Sequence, residues 1–228
     1  MKPLVLAFSV AAAPAFATPP QVVAVSETVV GMDSAHLYVL RVLDDNMGFH
    51  ASSQKDILLI ARSLDSNEDT DIWPVLRTHD MGADGGSARL EVLPLVDRSD
   101  AFEILADRGA RPLLGDGWPA DHAFAEAGGL RIVDRDTEFA LDWASVGTAL
   151  SESLARTRSA LPPVKTEGED VLLAADFDPP ADCQVEGGRL FEDGTPEDFA
   201  RVRAVAMLAC QNDNSMAPVR MVLVLPPV

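Results

Sequence analysis

Oxygen-bearing side chains are densest in residues 65–71, which read DSNEDTD. An EF-hand calcium loop has oxygen ligands at positions 1, 3 and 5, glycine at position 6 and glutamate at position 12. Position 6 is Thr70 here and position 12 is Leu76, so only the first half of that motif is present. Two interpretations stay open, a looser calcium-type site and a polar turn between strands. The candidate calcium ligands are Asp65, Asn67, Asp69 and Asp71.

A second candidate site is the Gly/Pro-rich segment LLGDGWPADHAF at 113–124. An aromatic side chain among polar groups in a loop is typical of the rim of a ligand pocket. The alternative is that the aromatic side chains of this loop anchor it to the core. The candidate ligand-binding residues are Trp118, Asp121 and His122.

The sequence motifs of common enzyme classes are missing. There is no G-x-S-x-G, C-x-x-C or H-E-x-x-H, and we assign no catalytic residue. The glycine-rich segment GADGGS, residues 82–87, lacks the lysine of a P-loop and the spacing of a dinucleotide fingerprint, and no cofactor is predicted. Two histidines have a neighbouring carboxylate, His79 beside Asp80 and His122 beside Asp121. They support an alternative hypothesis, a periplasmic hydrolase with a His/carboxylate loop site.

The first residues have the pattern of a secretory signal peptide. Lys2 precedes an apolar run, and Ala15-Phe16-Ala17 is a small-x-small cleavage pattern. We therefore expect 1–17 to be removed and the mature chain to be periplasmic or secreted. No later run is long and apolar enough to predict a transmembrane segment.

The two cysteines, Cys183 and Cys210, fit this destination. An isolated pair in an exported protein is most simply one disulfide. Two cysteines without nearby histidines do not supply the four ligands of a structural zinc site. The sequence therefore predicts a Cys183–Cys210 disulfide.

The formal net charge of −18 limits the classes of partner. So acidic a surface repels nucleic-acid phosphates, and no nucleic-acid partner is expected. A protein or small-molecule partner of unknown identity remains.

The sequence predicts an α+β fold with two regions. Residues 18–161 form a β-rich antiparallel domain, in which short apolar runs alternate with polar turns. This domain also contains two helices, one that begins after Ser99 or Asp100 and ends at Gly109, and one over residues 145–161. Residues 162–170 are the predicted linker.

The predicted second region, residues 171–228, is a small disulfide-tied α+β unit. Thr195 resembles a helix N-cap and Pro196 suits the first helical position. Glu197 and Asp198 favour the positive end of the helix dipole, and the pattern predicts a helix to Cys210. Taken together, these features favour an exported acidic binding or interaction module, with the hydrolase as the alternative.

Overall fold

The computed structural model describes residues 22–46, 53–80, 90–95, 101–113, 118–119, 123–126, 128–134, 136–166, 169–171, 181–193, 201–212 and 215–228. The predicted signal peptide, 1–17, lies outside these residues. Most of the described chain is β-strand, with two helices, α1 (Ala101–Asp107) and α2 (Trp143–Ala160). The strands are β1 (Val23–Met32), β2 (His36–Asp45), β3 (Ser53–Ser63), β4 (Asp69–Asp80), β5 (Leu90–Pro94), β6 (Arg111–Pro112), β7 (Trp118–Pro119), β8 (Ala123–Glu126), β9 (Gly129–Asp134), β10 (Thr137–Asp142), β11 (Val164–Thr166), β12 (Glu169–Val171), β13 (Ala181–Asp193), β14 (Arg201–Asn212) and β15 (Ser215–Leu225).

A ten-stranded mixed sheet organises the fold. Its order is β5-β4-β3-β2-β1-β15-β14-β13-β7, and β6 also pairs with β1. The meander β1 to β5 is antiparallel, as the sequence predicts, and so are β13 to β15. The two meanders meet through one parallel pairing of β1 with β15. The strands β8, β9 and β10 form a separate three-stranded sheet, and β11 pairs with β12.

The two helices pack on opposite faces of the first meander, because side chains alternate between the faces of a strand. Leu58 and Ile60 of β3 belong to the large core, which includes Leu150 of α2. Leu59 of β3 instead packs in a smaller cluster with Ile104 of α1. The amphipathic patterns that predict the helices therefore correspond to these two buried contacts.

Both predicted helices are confirmed. The predicted N-cap of α1, Ser99 or Asp100, lies outside the described residues, and α2 begins before the predicted start at Ser145. Helix α2 is capped by Asp142, whose carboxylate accepts a hydrogen bond from the backbone N–H of Ser145 at 2.8 Å. It ends before Pro162-Pro163. Helix α1 is followed by Gly109, at a positive φ of 66° that favours glycine.

The predicted helix up to Cys210 is wrong, because residues 201–212 form strand β14. Its alanines favour a helix locally, but β13 and β15 supply hydrogen-bonding partners on both edges of this segment. Within the described residues, the predicted small α+β unit is therefore a β-meander. The predicted start of the helix, Thr195 and Pro196, lies outside the described residues.

The predicted disulfide is confirmed. Cys183 of β13 is bonded to Cys210 of β14, and the two strands shift register between Ala181 and Gln184. Neither helix in the described part of the chain is long and apolar enough to cross a membrane. The division of the chain at residues 162–170 stays a prediction.

Candidate ligand groove

Four charged side chains occupy inward positions of the first four strands. Glu27 lies opposite Arg41 across β1 and β2, and Arg62 lies opposite Asp69 across β3 and β4. None of the four is more than 4% exposed. The two carboxylates and the two guanidinium groups sum to zero charge. This pairing lowers the free-energy cost of burying ionised groups.

The arginines connect these pairs into one cluster. Arg62 donates to Glu27 from Nη1 to Oε2 and from Nη2 to Oε1, both at 2.9 Å, and from Nε to Asp69 Oδ1 at 2.7 Å. Arg41 donates to Glu27 Oε1 from Nε at 2.9 Å and also from Nη2. Helix α2 closes the cluster, because Ser153 and Thr157 accept hydrogen bonds from Arg41.

The protonation state of Glu27 follows from these contacts. Burial by itself would raise the pKa of the carboxyl group. The positive charge of Arg62, then that of Arg41, outweighs burial, and hydrogen bonds from Arg62 and from the Val222 N–H add to their effect. Together they lower the pKa of Glu27 from 4.5 to about 2. Glu27 is therefore a fixed carboxylate at neutral pH.

Strands β1 and β15 separate just beyond their short parallel pairing. Two residues of β1, Val25 and Ser26, are paired with β15. Beyond this pairing, the backbone of β15 forms hydrogen bonds with side chains and not with a neighbouring strand on this edge. At Val222, Glu27 Oε2 accepts from the N–H at 2.7 Å and Arg62 donates to the carbonyl. At Val224, Asn67 accepts from the N–H at 2.7 Å and donates to the carbonyl at 2.8 Å.

A groove lies along the edge of β1 where β15 has left it and before β6 begins to pair at Gly31. Its volume is about 520 Å³, within the usual range for a small-molecule site. Most of its lining is apolar. The lining residues are Glu27, Thr28, Val29, Leu113, Glu186, Gly187, Gly188, Arg189, Phe191, Val205, Met207 and Val222.

Strand β13 has a glycine bulge at this groove. The register with β14 shifts between Val185 and Gly187, and bulges are often found beside binding sites. A Cβ atom added to Gly187 would meet no atom within 4 Å. Gly187 therefore leaves space for a ligand to approach the backbone of β13.

The groove has two charged side chains besides Glu27, namely those of Glu186 and Arg189. Glu186 forms an ion pair with Arg220, at 2.9 Å from carboxylate to Nε. The side chain of Arg189 is exposed and makes no hydrogen bond or ion pair with any residue that the structure describes. A positive charge at an apolar groove is thus left available to a ligand.

A smaller polar pocket lies beside the first half of α2. Its volume is about 330 Å³, and its lining includes Asp69, Ser153 and Arg156. Arg156 donates to the backbone carbonyl of Asp69 at 3.0 Å and to the carboxylate of Glu68. The polar groups of this pocket are largely paired within the protein, so the groove is the stronger candidate.

The four candidate calcium ligands each contact a different partner. Asp65 is 3.5 Å from Arg203, Asn67 binds the backbone of Val224, Asp69 binds Arg62, and Asp71 is 3.0 Å from Arg108. Among the described residues, no group of three or more His, Cys, Asp or Glu side chains is arranged to hold a metal ion. The calcium site stays a prediction.

The second candidate site is only partly described. The backbone of Trp118, in β7, pairs with Leu190 of β13, next to the groove residues Arg189 and Phe191. Asp121 and His122 lie outside the described residues. The other candidate histidine, His79 of β4, is not among the described residues that line either cavity.

Neither the cluster nor the groove is among the features predicted from the sequence, although a local signal for the cluster exists. In β3, every second residue from Leu58 through Ile60 to Arg62 faces inward, so Arg62 stands where the alternation predicts an apolar residue. The same is true of Glu27 in β1 and Arg41 in β2. A charge at such a position indicates a buried partner. The glycine pair within β13 is a weaker signal for the groove.

Comparisons of this chain with protein-family models, with curated proteins and with solved structures give no match.

Proposed function

We propose that this protein is an exported binding protein that holds a small, mainly apolar ligand in the groove between β1 and β13–β15. The observation that supports this proposal is the groove itself, where an apolar lining is combined with a glycine bulge and a few charged groups. Ligand sites in proteins have this composition, with apolar contact area for affinity and a few polar groups for orientation.

Binding is favoured over catalysis by the chemistry of the groove. Among the described residues that line the groove, Glu27 is the buried carboxylate, and its pKa of about 2 makes it a poor proton donor or acceptor near neutral pH. The histidine–carboxylate contact that the described residues show, between His36 and Asp33 at 3.3 Å, is in the turn from β1 to β2. The hydrolase alternative therefore receives no support from the described geometry.

Export is the second part of the proposal. The signal-like start of the sequence and the Cys183–Cys210 disulfide are independent observations that fit an oxidising compartment. The intact mass of the protein purified from the periplasm or medium tests it. The expected mass corresponds to a chain that begins at Thr18, and a mass that includes residues 1–17 would count against export.

The groove can be tested with a substitution that fills it. Gly187→Leu adds a side chain where a Cβ meets open space, and Gly147→Leu makes the same change in α2, also into open space and away from the groove. Nile red is the probe, since it is neutral and fluoresces when bound in an apolar site. We expect Gly187→Leu to weaken binding at least about tenfold, through lost apolar contact, and Gly147→Leu to leave it unchanged.

Thermal unfolding of both variants shows that they are folded before binding is compared. If Gly187→Leu is folded and binds Nile red as the natural protein does, then the groove is not the binding site.

A further inference from the structure

We infer that the ligand of the groove is a single-chain amphiphile with a carboxylate head, held by the guanidinium group of Arg189. This inference rests on the proposed binding function and adds the chemical class of the ligand. Three observations support it, namely the charge state of each ionisable group at the groove, the apolar lining, and the size of the cavity.

The first observation is that Arg189 is the available charge at the groove. Glu186 is neutralised by Arg220, and Glu27 is bound to two arginines and a backbone N–H. Neither carboxylate is thus free to bind a cationic ligand. Arg189 has no partner among the described residues, and its planar fork of donors fits a carboxylate.

The second observation is the position of Arg189 relative to the apolar lining. Strand alternation places Gly187, Arg189 and Phe191 on the same face of β13. The register places Met207 opposite Gly187 and Val205 opposite Arg189 on β14. A charged head bound at Arg189 would therefore continue directly into an apolar chain lying over these side chains.

The third observation is size. A cavity of about 520 Å³ is in the range of small-molecule sites, which favours one chain over a lipid with two long chains. We therefore assign the site to a free single-chain acid rather than to a membrane lipid. Because the protein carries a net charge of −18, selectivity for an anion must come from the local contact and not from the overall field.

Isothermal titration calorimetry with three ligands of equal chain length tests the inference. The ligands are dodecanoate, dodecan-1-ol and dodecylamine, each titrated into the full mature protein at pH 7. We expect dodecanoate to bind about five- to tenfold more tightly than the alcohol, because the charged contact at an exposed arginine is modest, and the amine to bind most weakly.

Two variants and one control separate the possible explanations. Arg189→Gln should remove the preference for dodecanoate over the alcohol, and Arg189→Lys should keep part of it because the charge remains. Arg108→Gln makes the same change in net charge at an exposed arginine outside the groove, where Arg108 pairs with Asp71. It should leave all three affinities unchanged.

The outcomes distinguish this inference from the proposed function. If the folded Gly187→Leu variant loses all three ligands but Arg189→Gln keeps the preference for dodecanoate, the head-group inference is overturned and the groove remains the binding site. If Gly187→Leu binds all three as the natural protein does, both proposals fail. Equal affinity of the natural protein for dodecanoate and the alcohol would also overturn the head-group inference.

Discussion

Glu27 and Arg62 form a bidentate ion pair across an intervening strand, with both Nη–Oε distances at 2.9 Å. Strand β2 lies between β1 and β3, and its Arg41 binds the same carboxylate. Glu27 and Arg62 also bind the N–H and carbonyl of Val222. The pair therefore joins the first meander to β15 at the point where the two halves of the sheet separate.

Removing Arg62 should destabilise the protein strongly. Arg62→Met leaves Glu27, Asp69 and Arg41 with a net negative charge in a buried site, and breaking a buried pair in this way costs about 3–5 kcal/mol. Urea unfolding measures this change in the free energy of unfolding. The matched control is Arg108→Gln, whose pair with Asp71 is about 42% exposed and should contribute no more than about 1 kcal/mol. A loss for Arg62→Met as small as that of the control would contradict the role of the cluster.

A double variant tests whether the cost comes from charge imbalance. Combining Glu27→Gln with Arg62→Met leaves Arg41 and Asp69, a neutral pair whose atoms are 3.5 Å apart. We expect the double variant to be more stable than the sum of the two single losses predicts, by at least about 1 kcal/mol. Strict additivity would show that Glu27 and Arg62 act independently.

The stability of the protein should depend on the ionisation of Glu27. Its pKa is about 2 in the folded protein against an ordinary value of 4.5, so the unfolded chain binds the proton more readily. The contribution of Glu27 is present above pH 4.5 and is lost as the pH falls from 4.5 towards 2. Its size is of the order of 3 kcal/mol. Urea unfolding of the natural protein and of Glu27→Gln between pH 7 and pH 2.5 isolates it.

Other carboxylates, such as Asp33, also have a lowered pKa, but their effect is common to both proteins. The difference in stability between the natural protein and Glu27→Gln should therefore shrink as the medium becomes acidic. A difference that is constant with pH would be inconsistent with an ionised Glu27.

The elements that could be predicted from the sequence are those with a local cause. The strands β1 to β4 follow from apolar runs between polar turns, α1 follows from its stop at Gly109, and α2 follows from its amphipathic period. The disulfide follows from the presence of two cysteines in a chain whose first residues resemble a secretory signal peptide. The residues that predict each strand and helix are neighbours in the chain. The two residues that predict the disulfide are the only cysteines in the sequence.

The features that were missed depend on contacts between distant segments. Strand β14 has a helix-favouring composition, and only its pairing with β13 and β15 makes it a strand. The groove needs the parallel pairing of β1 with β15, which joins Val25 to Val219. No periodicity within either strand specifies this partner, so neither the groove nor the availability of Arg189 could be read from the sequence.

Asn67 should be important for stability through its side chain and its backbone. It is buried, has a positive φ of 60°, and binds the N–H and carbonyl of Val224. Asn67→Ala leaves both groups of Val224 unsatisfied and places alanine in the left-handed region, at a total cost of about 2–4 kcal/mol. Asn67→Gly removes the backbone strain but does not restore the hydrogen bonds. Its free energy of unfolding in urea should therefore lie between that of Asn67→Ala and that of the natural protein. A glycine variant as stable as the natural protein would show that the bonds to Val224 contribute little.

Calcium should have little effect on thermal stability. Asp65, Asn67, Asp69 and Asp71 point to four different partners, and a shared calcium site would require Asp69 to leave Arg62. We expect the Tm in millimolar calcium to equal that in millimolar magnesium to within about 1 °C, because a ligand that does not bind the folded state adds no stability. A calcium-specific increase of several degrees that is lost in Asp65→Asn and Asp71→Asn would instead support the calcium site.

Two glycines with opposite surroundings should respond oppositely to the same substitution. Gly147 lies within α2, where a Cβ meets no atom within 4 Å, so Gly147→Ala should raise the free energy of unfolding by about 0.5–1 kcal/mol. Gly129 begins β9 at a φ of 151°, and a Cβ there would be 2.2 Å from the carbonyl oxygen of Leu141. Gly129→Ala should therefore lower stability by more than Gly147→Ala raises it. Urea unfolding of both variants checks the pair, and a destabilised Gly147→Ala would mean that α2 is more tightly packed at this position than the structure shows.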